Sequence, residues 1–227
     1  TFGGSGSTTD YGWALTVSGS TVYVAGGFTS TNAGFDGTGT IATVGNYDCF
    51  VLALNKDTGA PVTSFSGDGV QTIGGSGADV PSSVLFSGGT LYVSGRFSSN
   101  NLGFGGAAGS IAALGVSDGF VAALDASTGA PLTTFSGDGI QTFGGTDDTL
   151  QAIFYEAAGG LALADGVLYV AGCFSSSNAG IGGTGAVAAA GGSYDVFVMA
   201  LDATTGAAKT TFNGNGVQTF GGSGTDV

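Results

Sequence analysis

The chain has no histidine, and only three of its 227 residues are basic: Lys56, Arg96 and Lys209. Without histidine it lacks the commonest general base and the commonest metal ligand. Three cations against 16 acids leave a net charge of −13. Nucleic acids and anionic membranes bind clustered Lys and Arg, so neither is expected as a partner. No apolar run reaches the ~18 residues that cross a bilayer as a helix, so no membrane insertion is expected. There is no G-x-S-x-G elbow and no P-loop with its lysine. An enzyme is therefore not expected, and no catalytic or cofactor-binding residue is assigned. A hydrolase is the remaining enzymatic alternative. It would have to work with carboxylates such as Asp147 and Asp148, whose simpler role is to cap a turn.

Cysteine is nearly absent as well. Cys49 and Cys173 occupy different positions within the repeats described below, which is not how a disulfide framework is laid out. They read as small buried thiols. A bridge between them requires that the first and third repeats touch. Strong helix formers are also sparse, and only "LQAIFYEAAGGLALA" (150–164) has the composition of a short helix.

Glycine is what the chain has in quantity, 47 residues, together with many Val, Phe and Thr. Apolar residues make up 42%, too many for a disordered chain. This composition predicts an all-β protein with many tight turns. The acidic surface keeps such a chain soluble through self-repulsion.

The chain is also a repeat. Repeat one runs 1–71, repeat two 72–141 and repeat three 142–218, and 219–227 begins a fourth. The third carries about seven extra residues near 148–160. Because 1–4 ("TFGG") falls in mid-pattern, the sequence reads as a mature piece or fragment of a longer protein. Each repeat opens on a Gly-Gly turn with Asp ("GGSGSTTD", "GGSGAD", "GGTDD"). A hairpin follows, such as "WALTVSGSTVYVAGGF", whose Gly or Asp-Gly turns supply positive φ. An insert of about twenty residues with the pattern S-x-N-x-G-[FI]-x-G comes next. Its apolar residues (Phe35, Ile41 and Val44; Phe104, Ile111 and Leu114; Ile181 and Val187) predict an extra ordered hairpin that covers a sheet edge or forms a repeated contact surface. Then "FVLAL", "FVAAL" and "FVMAL" predict a strand buried on both faces. A last, more exposed strand carries "TSFSGDGVQT" or its copies. The result is about four strands per repeat: tandem four-stranded antiparallel blades of β-propeller type. A β-solenoid is the second choice, since its coils are usually much shorter than these repeats.

The stretch "LNKDTGAPVTSFSGDGVQTIGGSGADV" followed by "SGGTLYVSGRF" resembles the delta-60 repeat of large bacterial surface and secreted proteins. "SDGFVAALDASTG" with "GGSG" and Asp resembles the related seven-bladed-propeller (SBBP) repeat. The resemblance covers nearly the whole chain except the inserts. It implies propeller blades, an extracellular or cell-surface location and a binding or structural role. It carries over no catalytic residue.

The copied "SGDG" loop raises the question of calcium. Asp68 and Asp138 stand alone between glycines, and the third copy has Asn215. Calcium takes six to eight oxygens, usually several carboxylates along one loop. Asp48, Asp118 and Asp195 recur before the buried strand and would complete a site only if the fold brought them to Asp68 and Asp138. Otherwise no cofactor is expected. Asp-Gly and Asn-Gly exchange freely as turn formers, so the cassette reads as a closing turn and joint, anchored by Phe65, Phe135 and Phe212. The expected function is a non-enzymatic structural, adhesive or fibre component, with self-association or neighbouring repeats as partners. The alternative is a binding module that recognises a glycan or protein through its loops.

Overall fold

A computed structural model describes residues 1–5, 9–37, 39–107, 109–146, 157–190 and 194–224. Among these residues every regular element is a strand. The first repeat supplies β1 (Phe2–Gly3), β2 (Tyr11–Ser18), β3 (Thr21–Phe28), β4 (Gly34–Phe35), β5 (Asp48–Asn55) and β6 (Val70–Gly74). The second supplies β7 (Asp79–Ser87), β8 (Thr90–Phe97), β9 (Gly103–Phe104), β10 (Asp118–Asp125) and β11 (Ile140–Gly144). The third supplies β12 (Ala157–Ala164), β13 (Val167–Phe174), β14 (Gly180–Ile181), β15 (Asp195–Asp202) and β16 (Val217–Phe220). The strands form four antiparallel sheets, in the orders β1-β4, β2-β3-β5-β6-β9, β14-β11-β10-β8-β7 and β12-β13-β15-β16.

The hairpins form where the turn residues place them. Gly19 has φ +56°, and the third turn uses Asp165 (φ +50°) and Gly166 (φ +75°). These are left-handed conformations that glycine and aspartate tolerate best. β5 and β10 are buried along nearly their whole length, as their unbroken apolar runs predict.

Two expectations are corrected. The segment 157–164 is strand β12, not helix; it pairs with β13 in antiparallel register, and those long-range contacts override local composition. Residues 150–156, and with them the rest of the helix expectation, lie outside the described residues, as do Asp147 and Asp148. The last strand of repeats one and two is buried rather than exposed. The reason is that the next repeat lends it a neighbour: β9 pairs with the free edge of β6, and β14 with that of β11. The inserts therefore form very short strands plus isolated bridges (Ala33 with Ile41, Leu102 with Ile111, Ala179 with Val187) that close an edge from the following repeat.

The chain divides into two compact units. One holds Thr1–Leu91, Phe97–Ala112 and Asp125–Ala130; the other holds Tyr92–Arg96, Ala113–Leu124 and Pro131–Val227. In the first, Phe28, Phe50, Leu52 and Val70 form a buried cluster, with Phe2, Val24, Phe35, Ile41 and Leu54 packed against it. In the second, Phe143 packs on Phe197 with the rings tilted by 35° and their centroids 4.3 Å apart, and it meets Phe174 edge-on at 5.8 Å.

Candidate functional site

The copied cassette is a joint between consecutive repeats. Phe65 is buried, Ser66 turns the chain at φ +52°, and Asp68 Oδ1 accepts the Val70 amide at 2.9 Å. Asp138 accepts from Ile140 at 2.9 Å and Asn215 from Val217 at 2.9 Å, in the same geometry. A neutral amide oxygen serves this turn as well as a carboxylate, which accounts for the Asp/Asn exchange. Three groups then reach the next repeat's Thr-Gly turn. The Ser66 amide donates to Thr128 O at 2.7 Å, Gln71 Nε2 to Gly129 O at 2.8 Å, and Tyr23 Oη to Ala126 O at 2.7 Å. The second unit repeats the set: Ser136 to Thr205 at 2.8 Å, Gln141 to Gly206 at 2.9 Å and Tyr92 to Ala203 at 2.8 Å.

The paired glycines form the other half of the joint. A Cβ on Gly74 would lie 2.3 Å from Asp48 Cγ, and one on Gly75 would lie 2.7 Å from Asn101 Oδ1. Asn101 Oδ1 accepts the Ser76 amide at 2.7 Å, and buried Ser99 donates to Asp79 Oδ2 at 2.6 Å. In the second repeat the Ser and Asn of the insert thus bind the Gly-Gly turn and its aspartate. Ser30 repeats this with Asp10, and Asn178 with Thr146.

Asp48, Asp118 and Asp195 start the buried strands. Each accepts a backbone amide through Oδ2: Val44 at 2.6 Å, Leu114 at 2.8 Å, and Ala190. Burial, opposed by these amide bonds and reinforced by the nearby charge of Asp79, pushes Asp48 up to about 6. Burial also raises Asp79. In the β5–β6 pairing Cys49 lies opposite Ile73 and Leu52 opposite Val70, so Asp48 and Asp68 belong to opposite ends of the strand pair. The fold does not bring them together. Among the described residues, no three His, Cys, Asp or Glu side chains gather where they could hold a metal ion. Cys49 and Cys173 form no disulfide; Cys49 is buried, and desolvation raises its thiol well above the ordinary range. No helix among the described residues is long and apolar enough to cross a membrane.

Beside the joint in the first unit lies an open groove of about 620 Å³. It is lined by Thr40, Ile41, Ser66, Asp68, Gln71 and Thr128, among others, and no aromatic side chain lines it. Sequence reasoning identified the cassette but missed Gln71, Gln141, Asp79, Ser99 and Asn101. The recurrence of Gln before Thr in "VQT" and "IQT", and of S-x-N in each insert, was the signal available. No family model matches the chain, and no curated protein matches it.

Proposed function

We propose that the chain is a non-enzymatic structural module of a secreted or cell-surface repeat protein. Its three larger sheets, of four or five strands, serve as propeller-type blades in a tandem array. The observation that carries this reading is the joint itself, since the same three hydrogen bonds, from Tyr, Ser and Gln to the next Thr-Gly turn, occur twice. These recurring contacts join one repeat to the next, and repeat proteins draw their stability from such nearest-neighbour terms. A glycan site usually offers aromatic faces and convergent polar groups. The groove beside Gln71 offers only the second, which favours the scaffold over the binding module.

The test is a glycan panel together with thermal unfolding. The scaffold reading expects no saturable binding and one cooperative transition. Saturable binding of an oligosaccharide, abolished by filling the groove with Thr40→Arg, would replace it with the binding-module reading.

A further inference from the structure

We infer that the free backbone edge at Thr40–Ala42, with the groove it borders, is a docking site for an extended segment of another protein that carries a lysine or arginine. The segment adds a strand to the edge. The inference gives the scaffold reading a partner, and it stands on a different observation, the unpaired backbone of the inserts.

The insert of the first repeat is paired on one side only. Ile41 N–H donates to Ala33 O at 3.1 Å, Ala33 N–H to Ile41 O at 2.7 Å, and Thr43 N–H to Ser30 O at 3.1 Å. Backbone groups alternate in direction along an extended segment. Those of Thr40 and Ala42 therefore face away from Ala33, and among the described residues they make no hydrogen bond. Both residues are exposed. Ile41, between them, is anchored: it packs against the buried cluster that holds Ala33, Phe28 and Phe50. An edge already fixed in this way loses little freedom when a strand is added.

Proteins commonly blunt such an edge with lysine, proline or a bulge. Here "GTIATVG" (39–45) contains no charge and no proline, and neither do its copies "GSIAALG" (109–115) and "GAVAAAG" (185–191). The copies keep the geometry. Ile111 bridges Leu102 and Val187 bridges Ala179, while Ser110, Ala112, Ala186 and Ala188 make no hydrogen bond among the described residues. The open edge belongs to the insert and recurs with it.

Charge selects the occupant. Thr40, Ile41 and Ala42 line the groove of about 620 Å³, and Asp68 is the one charged side chain among its described lining residues. Asp68 Oδ1 accepts the Val70 amide, whereas Oδ2 makes no hydrogen bond among the described residues. A lysine or arginine on the added strand pairs with Oδ2, and the net charge of −13 draws a basic segment in. A second copy of this chain is a poor occupant. It carries the same charge, and two of its three cations, Lys56 and Lys209, are already paired with Asp57 and Asp202.

The experiment titrates the intact chain into fluorescein-labelled peptides of alternating Thr and Val, with Lys, Gln or Glu at the centre, and follows anisotropy. The site reads backbone plus one cation, so these peptides carry all that it requires. The Lys peptide is expected to bind saturably, the Gln peptide about threefold more weakly, and the Glu peptide more weakly again. Asp68→Asn should abolish the preference for Lys over Gln and leave the Gln affinity unchanged. Ala42→Pro removes an N–H that bonds nothing in the folded chain. It should abolish binding of every peptide while circular dichroism and the melt stay unchanged. N-methylation of one alternate set of peptide amides should abolish binding and of the other set spare it, with the protein untouched. No saturable binding of the Lys peptide up to millimolar chain would overturn the inference. So would equal binding of both N-methylated peptides, undiminished binding by Ala42→Pro, or a Lys preference that survives Asp68→Asn. A chain that melts cooperatively and binds neither peptide nor glycan overturns only this inference; an oligosaccharide held in the groove in place of the peptide overturns the scaffold reading as well.

Discussion

The side-chain amide of Gln71 donates to the carbonyl oxygen of Gly129 at 2.8 Å, in a buried site 58 residues away along the chain. Gln141 makes the same contact with Gly206, whereas Gln218 bonds Thr219 O, one residue on. One residue type at one repeat position thus works in two environments, which provides an internal control.

Truncating the first two leaves a buried carbonyl without its donor, at about 1–3 kcal/mol each. Gln218→Ala removes only an exposed contact and is expected to stay within about 0.5 kcal/mol. Urea unfolding of Gln71→Ala, Gln141→Ala and Gln218→Ala checks the ranking. Equal costs for all three would show that the joint contributes nothing.

Asp48 sets a pH dependence. Its carboxyl is pushed up to about 6 in the folded chain from an ordinary value near 4, so the folded state holds the proton more tightly than the unfolded state. Stability from this group is complete below pH 4 and declines as pH rises through 6. Asp79 is raised by burial and works in the same direction. Asp48→Asn keeps an oxygen for the Val44 amide and abolishes the titration. Thermal melts from pH 4 to 7 should therefore fall less steeply for the variant; parallel slopes would contradict the assignment.

Gly74→Ala drives a methyl into Asp48, whose Cγ would lie 2.3 Å from the new Cβ. Such overpacking costs about 1–3 kcal/mol. At Gly160, by contrast, nothing lies within 4 Å and φ is not in the left-handed region. Gly160→Ala is expected to be neutral or slightly stabilising. Denaturant midpoints of the pair separate a steric requirement from a general need for glycine.

Asp68→Asn and Asp138→Asn should leave stability within about 0.5 kcal/mol of wild type, because Asn215 already performs the same turn. Calcium should not change the difference. Calorimetry with and without the ion checks this, and a loss of stability seen only in calcium would reveal a metal site at the loop.

Local signals made the hairpins legible, because Gly19, Gly88 and the Asp165-Gly166 pair announce their own backbone conformations. The inner strands were legible from their unbroken apolar runs, and the cassette from its copying. The pairing of β9 with β6 was not: Phe104 and Ile73 are distant in sequence, and two-residue strands carry no periodicity. The buried last strand was missed for the same reason. It alternates like an exposed strand, and only the neighbouring repeat covers it. β12 was misread because its alanines score as helix formers while its partner β13 lies across a turn.

The borrowed strands also impose an order on synthesis. β6 cannot obtain its neighbour β9 until the next repeat has been made as far as Phe104. At about 5–20 residues per second, each newborn sheet waits for roughly a few seconds with a bare edge. During translation, the chain carries its least protected backbone at its most recently finished sheet, and that vulnerable site moves forward one repeat at a time.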